Sequence, residues 1–99
     1  MSDRLPISDV VFTAADSTAQ RSGLLGYVRC RFANALVLDS IAVRRTEDGR
    51  RTLSFPSRTD GQGGKHPIYR PLDDRTRRAI EAAIFEALGI HAEEDADGR

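Results

Sequence analysis

The clearest pattern along the chain is an alternation of apolar and polar side chains in LLGYVRCRF (24–32). Every second side chain there is apolar and the others include arginines, as in a strand with one buried face. The dipeptide Ala33-Asn34 follows, and asparagine tolerates the left-handed backbone of a tight turn. ALVLDSIAV (35–43) then predicts a returning strand. These two segments predict a β-hairpin.

The returning strand is apolar in both of its alternating sets. One set is Val37, Ile41 and Val43, and the other is Leu36, Leu38 and Ala42. A strand that is apolar on both faces needs cover on both faces. We expect the protein's own helix to cover one face and a second subunit to cover the other.

Shorter segments surround this hairpin. ISDVVF (7–12) predicts a first strand, and the polar stretch 13–23 predicts a loop. RRTEDGRR (44–51) predicts a turn, and TLSF (52–55) predicts a strand that stops at Pro56.

A helix is predicted in the last third of the chain. Its apolar residues recur at helical spacing: Ile80, Ala83, Ile84, Ala87 and Leu88. Asp73 or Asp74 can cap its start, and Gly89 suits a left-handed termination. The same two aspartates lie four residues before Arg77 and Arg78, which predicts i,i+4 ion pairs. The predicted fold class is α+β, with a small antiparallel sheet of about four strands and a C-terminal helix.

The length of 99 residues predicts one small domain, over 7–90, between a flexible start (1–6) and an acidic, disordered tail (91–99). Such a small core is often supplemented, and dimerisation is the aid we expect here. Cys30 is the single cysteine, and His66 and His91 are far apart in sequence, so we expect no disulfide, metal or other cofactor.

Charge is distributed unevenly although the formal net charge is zero. Residues 44–78 carry ten basic and five acidic groups, whereas residues 79–99 carry one basic and six acidic groups. The middle of the chain can therefore attract polyanions, although two solvated faces would show the same pattern. Because no apolar run resembles a membrane span or a signal peptide, we expect a cytoplasmic protein without a membrane partner.

The segment FPSRTDGQGGKHPIYRP (55–71) raises three chemical possibilities. It is not a phosphate-binding nucleotide loop, because Thr59 occupies the first glycine position and His66 replaces the Ser/Thr hydroxyl. Cys30 with His66 as base is a second possibility, but the apolar phase of Cys30 favours a buried structural thiol. We therefore expect neither enzymatic activity nor a small-molecule substrate.

Nucleic-acid binding is the third possibility, since phosphate recognition requires cationic side chains on a stable surface. The candidate cations are Arg58, Lys65, Arg70, Arg75, Arg77 and Arg78. Arg58 and Arg75 are favoured because neither has an obvious local partner. Tyr69 is the main aromatic candidate in the segment, so stacking on single strands is expected to be secondary.

The order of segments also resembles the SpoVG family of septation and sporulation regulators. The resemblance covers about 7–88 and rests on ISDVVF, the hairpin, DGRRTLSFPSR, and HPI followed by RRAIEAAIFEAL. It implies a small α+β homodimer that binds DNA, and in some members RNA, without enzymatic activity. It also implies contacts from Ser57 and Arg58 and from the helix start, where Arg75, Arg77 and Arg78 lie. The stretch TDGQGGK departs from the family loop and lacks its aromatic residue.

These observations predict a homodimeric, cytoplasmic regulator that binds DNA or RNA through a basic loop and helix start. The alternative is a protein-interaction module whose basic face docks an acidic partner or the chain's own acidic tail.

Overall fold

The computed structural model describes residues 5–89. Its elements in chain order are β1 (Ile7–Ala14), α1 (Ser17–Arg21), β2 (Leu24–Phe32), β3 (Leu36–Arg45), β4 (Arg51–Ser54), β5 (Ser57–Thr59), β6 (Lys65–Pro67) and α2 (Asp74–Leu88). The predicted tail at 91–99, and residues 1–4 of the predicted flexible start, lie outside the described residues. No helix between residues 5 and 89 combines the length and apolarity needed to cross a lipid bilayer.

The first four strands form one antiparallel sheet in the order β1-β2-β3-β4. Each strand pairs with its neighbour in sequence, as short connections favour. The predicted α+β arrangement of a four-stranded antiparallel sheet with a C-terminal helix is confirmed. The homodimer remains a prediction.

Residues Ala33 and Asn34 form the tight turn between β2 and β3. Their φ angles are 56° and 53°, the left-handed geometry of the turns that match the twist of a hairpin. The predicted hairpin is therefore confirmed, with its turn at the predicted dipeptide.

Two β-bulges flank the middle of β2. Between Ser8 and Val11, β1 carries one more residue than the facing part of β2, and Asp9 there has φ 52°. Between Leu38 and Ile41, β3 also carries an extra residue, and Ser40 has φ 64°. The second bulge reverses the alternation of β3, because an extra residue turns the following side chains to the other face.

The predicted assignment of the β3 side chains to two faces was consequently wrong in part. Val37 pairs with Arg31 on the outer face and is 64% exposed, whereas Ile41 is fully buried in the core. Leu38 was predicted on the face opposite to Ile41, but it packs against the same core.

The core lies between the inner face of the sheet and α2. Its buried members are Val28, Cys30, Ile41, Val43, Leu53, Ile84 and Phe85. The sheet supplies the first five and α2 supplies the last two, so the helix covers one face as predicted. Cys30 is 2% exposed, which confirms the predicted buried thiol.

The ends of α2 also match the prediction. The side chain of Asp73 accepts a hydrogen bond from the backbone N–H of Thr76, so Asp73 is the N-cap. Gly89 closes the helix with φ 73°. Both devices satisfy backbone groups that the helix leaves without internal partners.

Two predictions of irregular structure need correction. The stretch 13–23 contains the end of β1 and the short helix α1, which Asp16 caps by accepting from the N–H of Ala19. The connector before α2 contains β5 and β6, which form a second, two-stranded sheet.

Candidate nucleic-acid interface

The β5–β6 ribbon presents the basic segment as a defined surface. Ser57 faces Pro67, Arg58 faces His66 and Thr59 faces Lys65 across the ribbon, and all six residues are exposed. Directly paired residues share a face of an antiparallel pair. Arg58 and His66 therefore share one face, while Lys65 lies on the other, with Ser57.

Asp60 organises the loop at the tip of the ribbon. Its Oδ1 accepts hydrogen bonds from the backbone N–H groups of Gln62 (2.9 Å) and Gly64 (2.8 Å). Its Oδ2 lies 2.7 Å from Nε2 of His66. The His66 contact, followed by the two backbone bonds, lowers the pKa of Asp60. The glycine-rich tip thus has a fixed turn that one carboxylate holds.

Contacts at its base tie the ribbon to the main sheet. The N–H of Ile68 donates to the carbonyl oxygen of Pro56 at 2.9 Å, which closes the base of the ribbon. Tyr69 follows, with its hydroxyl donating to the carbonyl oxygen of Asp39 at 2.6 Å and its ring edge-on to Phe55, 6.1 Å between centroids.

The environment of Tyr69 gives it a structural role. Burial, with smaller contributions from the charges of Asp39 and Cys30, raises its pKa to about 12. The hydroxyl therefore stays protonated and able to donate at neutral pH. Because the ring packs against the core, Tyr69 serves as an anchor for the connector.

The start of α2 presents two exposed arginines. Arg75 and Arg78 are three residues apart, which places them on neighbouring parts of one helix face. The hydrogen bonds from the backbone and hydroxyl of Thr76 lower the pKa of Asp73, and the charge of Arg75 adds to that effect.

Arg77 lies in a different environment from Arg75 and Arg78. Its guanidinium donates to the carbonyl oxygen of Leu53 and, at 3.3 Å, to the hydroxyl of Thr52. Its Nε lies 3.4 Å from the carboxylate of Glu81. The ion pair predicted from Asp73 to Arg77 is therefore wrong, because Arg77 pairs with the residue one turn further along α2.

Glu81 completes this contact with β4. Its carboxylate accepts from the N–H of Leu53 at 3.1 Å and from the hydroxyl of Thr52 at 3.0 Å. Arg77 and Glu81 together bind both backbone groups of Leu53 on the open side of β4. This contact fixes the start of α2 beside the strand that leads into the ribbon.

The ribbon and the helix start thus occupy one region. The ribbon leaves the end of β4, and α2 is tied to Leu53 in the same strand. Ile68 and Asp73 are five residues apart in sequence, which limits their separation to about 18 Å. Arg70 is exposed between them. Among residues 5–89, no acidic group forms an ion pair with the cations that face solvent here: Arg58, Lys65, Arg70, Arg75 and Arg78.

Cys30 and His66 do not form a nucleophile-base pair in the part of the chain that the structure describes. Cys30 is buried in the core, where burial raises the pKa of its thiol. His66 is exposed and bonded to Asp60. The same residues, 5–89, contain no group of three or more side chains arranged to hold a metal ion.

No protein-family model matches the sequence. Individual relatives do match it over most of its length. A protein of Borreliella burgdorferi strain ZS7, named as a septation protein SpoVG, is 32% identical over 82 residues, which are 83% of this chain and 84% of the relative. The chain belongs to the SpoVG family.

Two further SpoVG proteins support this membership. The one from Borrelia hermsii is 32% identical over 80 residues, covering 81% of this chain and 82% of the relative. The one from Borreliella afzelii is 29% identical over 82 residues, covering 83% and 84%. The resemblance that the sequence carries is thus confirmed over most of the chain.

The structure of this SpoVG-family chain adds two residues that the sequence analysis missed, Asp60 and Glu81. An aspartate before a glycine-rich stretch often accepts hydrogen bonds from the backbone of the following turn, so the role of Asp60 could have been predicted from the sequence. The contact of Glu81 with β4 could not have been predicted from the sequence, because it depends on how α2 packs against that strand. The predicted contribution of the site residues to binding remains a prediction.

Proposed function

We propose that this SpoVG-family protein is a cytoplasmic, homodimeric regulator that binds DNA, with RNA as a second ligand, and performs no catalytic step. The process it regulates is septation, as the names of its relatives suggest, or a sporulation-type programme, as the family resemblance implies. The observation that carries the proposal is the cluster of exposed cations on the ribbon, the connector and the start of α2, with no acidic ion-pair partner among residues 5–89.

The arrangement suits a phosphate backbone in two ways. A two-stranded ribbon is narrow enough to enter the major groove of duplex DNA, and Arg58 and Lys65 lie on opposite faces of this ribbon. Each can then approach a different wall of phosphates, with Ser57 as a neighbouring hydroxyl donor. Arg75 and Arg78 follow at the positive end of the α2 dipole, where anions are favoured.

The proposal leaves Arg77 out of the phosphate contacts. Its guanidinium is bound to Leu53, Thr52 and Glu81, so a phosphate would have to displace three partners. Its role is to hold the helix start in place, which positions Arg75 and Arg78. Arg70, on the exposed connector, supplies the contact between the two elements.

Duplex DNA binding measured by fluorescence anisotropy at several salt concentrations tests the proposal. Affinity should fall steeply as salt rises, with a slope of about 0.9 in log–log form for each neutralised phosphate. Replacing both Arg58 and Arg75 by Ala should weaken binding and reduce that slope by about one to two for each bound subunit. Both replaced side chains are exposed, so the fold should be retained.

Arg21→Ala is the matched control. Arg21 is an exposed arginine in the last turn of α1, which contacts β2 and belongs neither to the ribbon nor to α2. This variant should keep the parent affinity and slope. If the double variant also keeps both, the proposed surface is wrong. If the parent protein fails to bind duplex DNA even at low salt, the alternative of an acidic protein partner is favoured instead.

A further inference from the structure

The contact between Asp60 and His66 lies on the proposed binding surface. Oδ2 of Asp60 is 2.7 Å from Nε2 of His66, and the two side chains are 36% and 51% exposed. Arg58 sits directly across the ribbon from His66 and shares its face. A titratable pair therefore lies next to one of the two cations that the sequence favours for phosphate binding.

The surroundings of His66 follow from the pairing of the ribbon. Among residues 5–89, β5 and β6 pair with each other and with no strand of the main sheet. Among residues 5–89, strand pairing and hydrogen bonding place two charged groups beside the imidazole, Asp60 in the loop and Arg58 across the ribbon, while Lys65 is its sequence neighbour on the opposite face. The net charge of this face is consequently sensitive to one proton.

We propose that Asp60 and His66 form a proton-dependent switch that raises the affinity of the ribbon for nucleic-acid phosphates as the pH falls. The inference rests on the proposed function and adds a mode of regulation to it. Asp60 is the positioning residue, since it holds the loop and the imidazole through separate carboxylate oxygens.

The direction of the effect follows from the charges. When His66 is neutral, the carboxylate of Asp60 leaves a negative charge beside Arg58 that opposes an approaching phosphate. When His66 is protonated, its charge offsets that of Asp60, and the face gains one positive charge. The pKa of Asp60 lies below its ordinary value, so this carboxylate stays ionised over the range from about pH 5 to pH 8 in which histidine usually changes charge.

The test is the affinity of the full chain for a fixed DNA duplex at constant ionic strength, measured between about pH 8 and about pH 5.5. The affinity of the parent protein should rise by about twofold to fivefold across this range, the contribution of one exposed ion pair. His66→Gln keeps a neutral N–H donor near Asp60 but takes up no proton, so it should lose the rise. His91→Gln is the matched control and should keep it, because the chain has two histidines and His91 is the other.

A second variant tests the role of Asp60. Asp60→Asn keeps the oxygen that accepts from Gln62 and Gly64 and removes the negative charge beside His66. Its affinity at about pH 8 should exceed that of the parent by about twofold to fivefold. An unchanged affinity at this pH would contradict the switch.

The outcomes separate the two proposals. A pH-dependent rise that persists in His66→Gln, or its absence from the parent protein, overturns the switch while DNA binding itself stands. Failure of the parent protein to bind the duplex at every pH overturns the proposed function and the switch together.

Discussion

Leu53 shows how two side chains can satisfy the backbone of an edge strand. It is fully buried in the core and belongs to β4, the last strand of the sheet. Its N–H donates to Glu81 and its carbonyl oxygen accepts from Arg77, so two residues one turn apart on α2 bind both groups. A buried backbone group left without a partner would destabilise the fold.

Replacing Glu81 by Ala should therefore lower the free energy of unfolding by about 1–3 kcal/mol, because the N–H of Leu53 and the hydroxyl of Thr52 both lose an acceptor. Urea denaturation measures the change. Glu81→Gln retains an acceptor oxygen and should lose less. Glu86→Ala is the control, since Glu86 is an exposed glutamate of the same helix. Equal losses in the Glu81→Ala and Glu86→Ala variants would show that the contact with β4 does not contribute.

Gly26 provides a second residue-scale prediction. A Cβ atom there would overlap the carbonyl oxygen of Thr13 and the ring of Phe12, both in the neighbouring strand β1. Gly26→Ala should therefore destabilise the protein by about 1–3 kcal/mol. Gly61→Ala is the control, because no atom other than those of Gly61 and its two chain neighbours lies within 4 Å of its Cβ position. Thermal unfolding followed by circular dichroism compares the two, and an unchanged midpoint for Gly26→Ala would contradict the close approach.

At the scale of elements, the sequence predicted best where its pattern was unbroken. The alternation in β2 runs without interruption from Gly26 to Arg31, and the helical spacing and both caps of α2 are local signals. β3 was harder, because the bulge at Ser40 reverses its alternation and only the pairing with β2 reveals the extra residue. The ribbon escaped prediction because strands of three exposed residues leave no apolar pattern.

The candidate site was predictable to a similar degree. Its cations could be identified from charge, and Arg58 and Arg75 lie exposed as their lack of local partners suggested. The tie between Arg77 and β4 could not be foreseen, since it joins residues 24 apart in sequence. Local pairing rules favoured Asp73 as the partner of Arg77, and tertiary packing replaced it with Glu81.

At the scale of the whole molecule, α2 covers one face of the sheet and the other face retains exposed apolar side chains. Val11, Tyr27 and Val37 lie on that outer face and are 44%, 46% and 64% exposed. These side chains support the proposed homodimer, because a second copy on this face would remove them from water.

Val37→Asp should accordingly shift the protein from dimer to monomer, which sedimentation equilibrium detects as a fall in mass from twice the 10.9 kDa of one chain to that of a single chain. The aspartate would face Arg31, so the separate chain should tolerate it. Leu72→Asp is the control, since Leu72 is 88% exposed and lies outside the sheet, just before α2. A Val37→Asp protein with the parent mass would place the dimer contact elsewhere.

The two edges of the sheet differ in a way that also concerns aggregation. At the β4 edge, side chains of α2 form hydrogen bonds with the outward-facing backbone groups of Leu53. At the β1 edge, the strand pairs with β2 and, among residues 5–89, with no strand on its other side. Chains that polymerise by adding strands need two open edges, one to receive and one to offer. A copy joined through β1 would present, at each end of the combined sheet, a β4 edge on which the Leu53 groups are already bound. Fibre growth by this route would stop at two chains, and loss of the Arg77–Glu81 contact would remove the barrier.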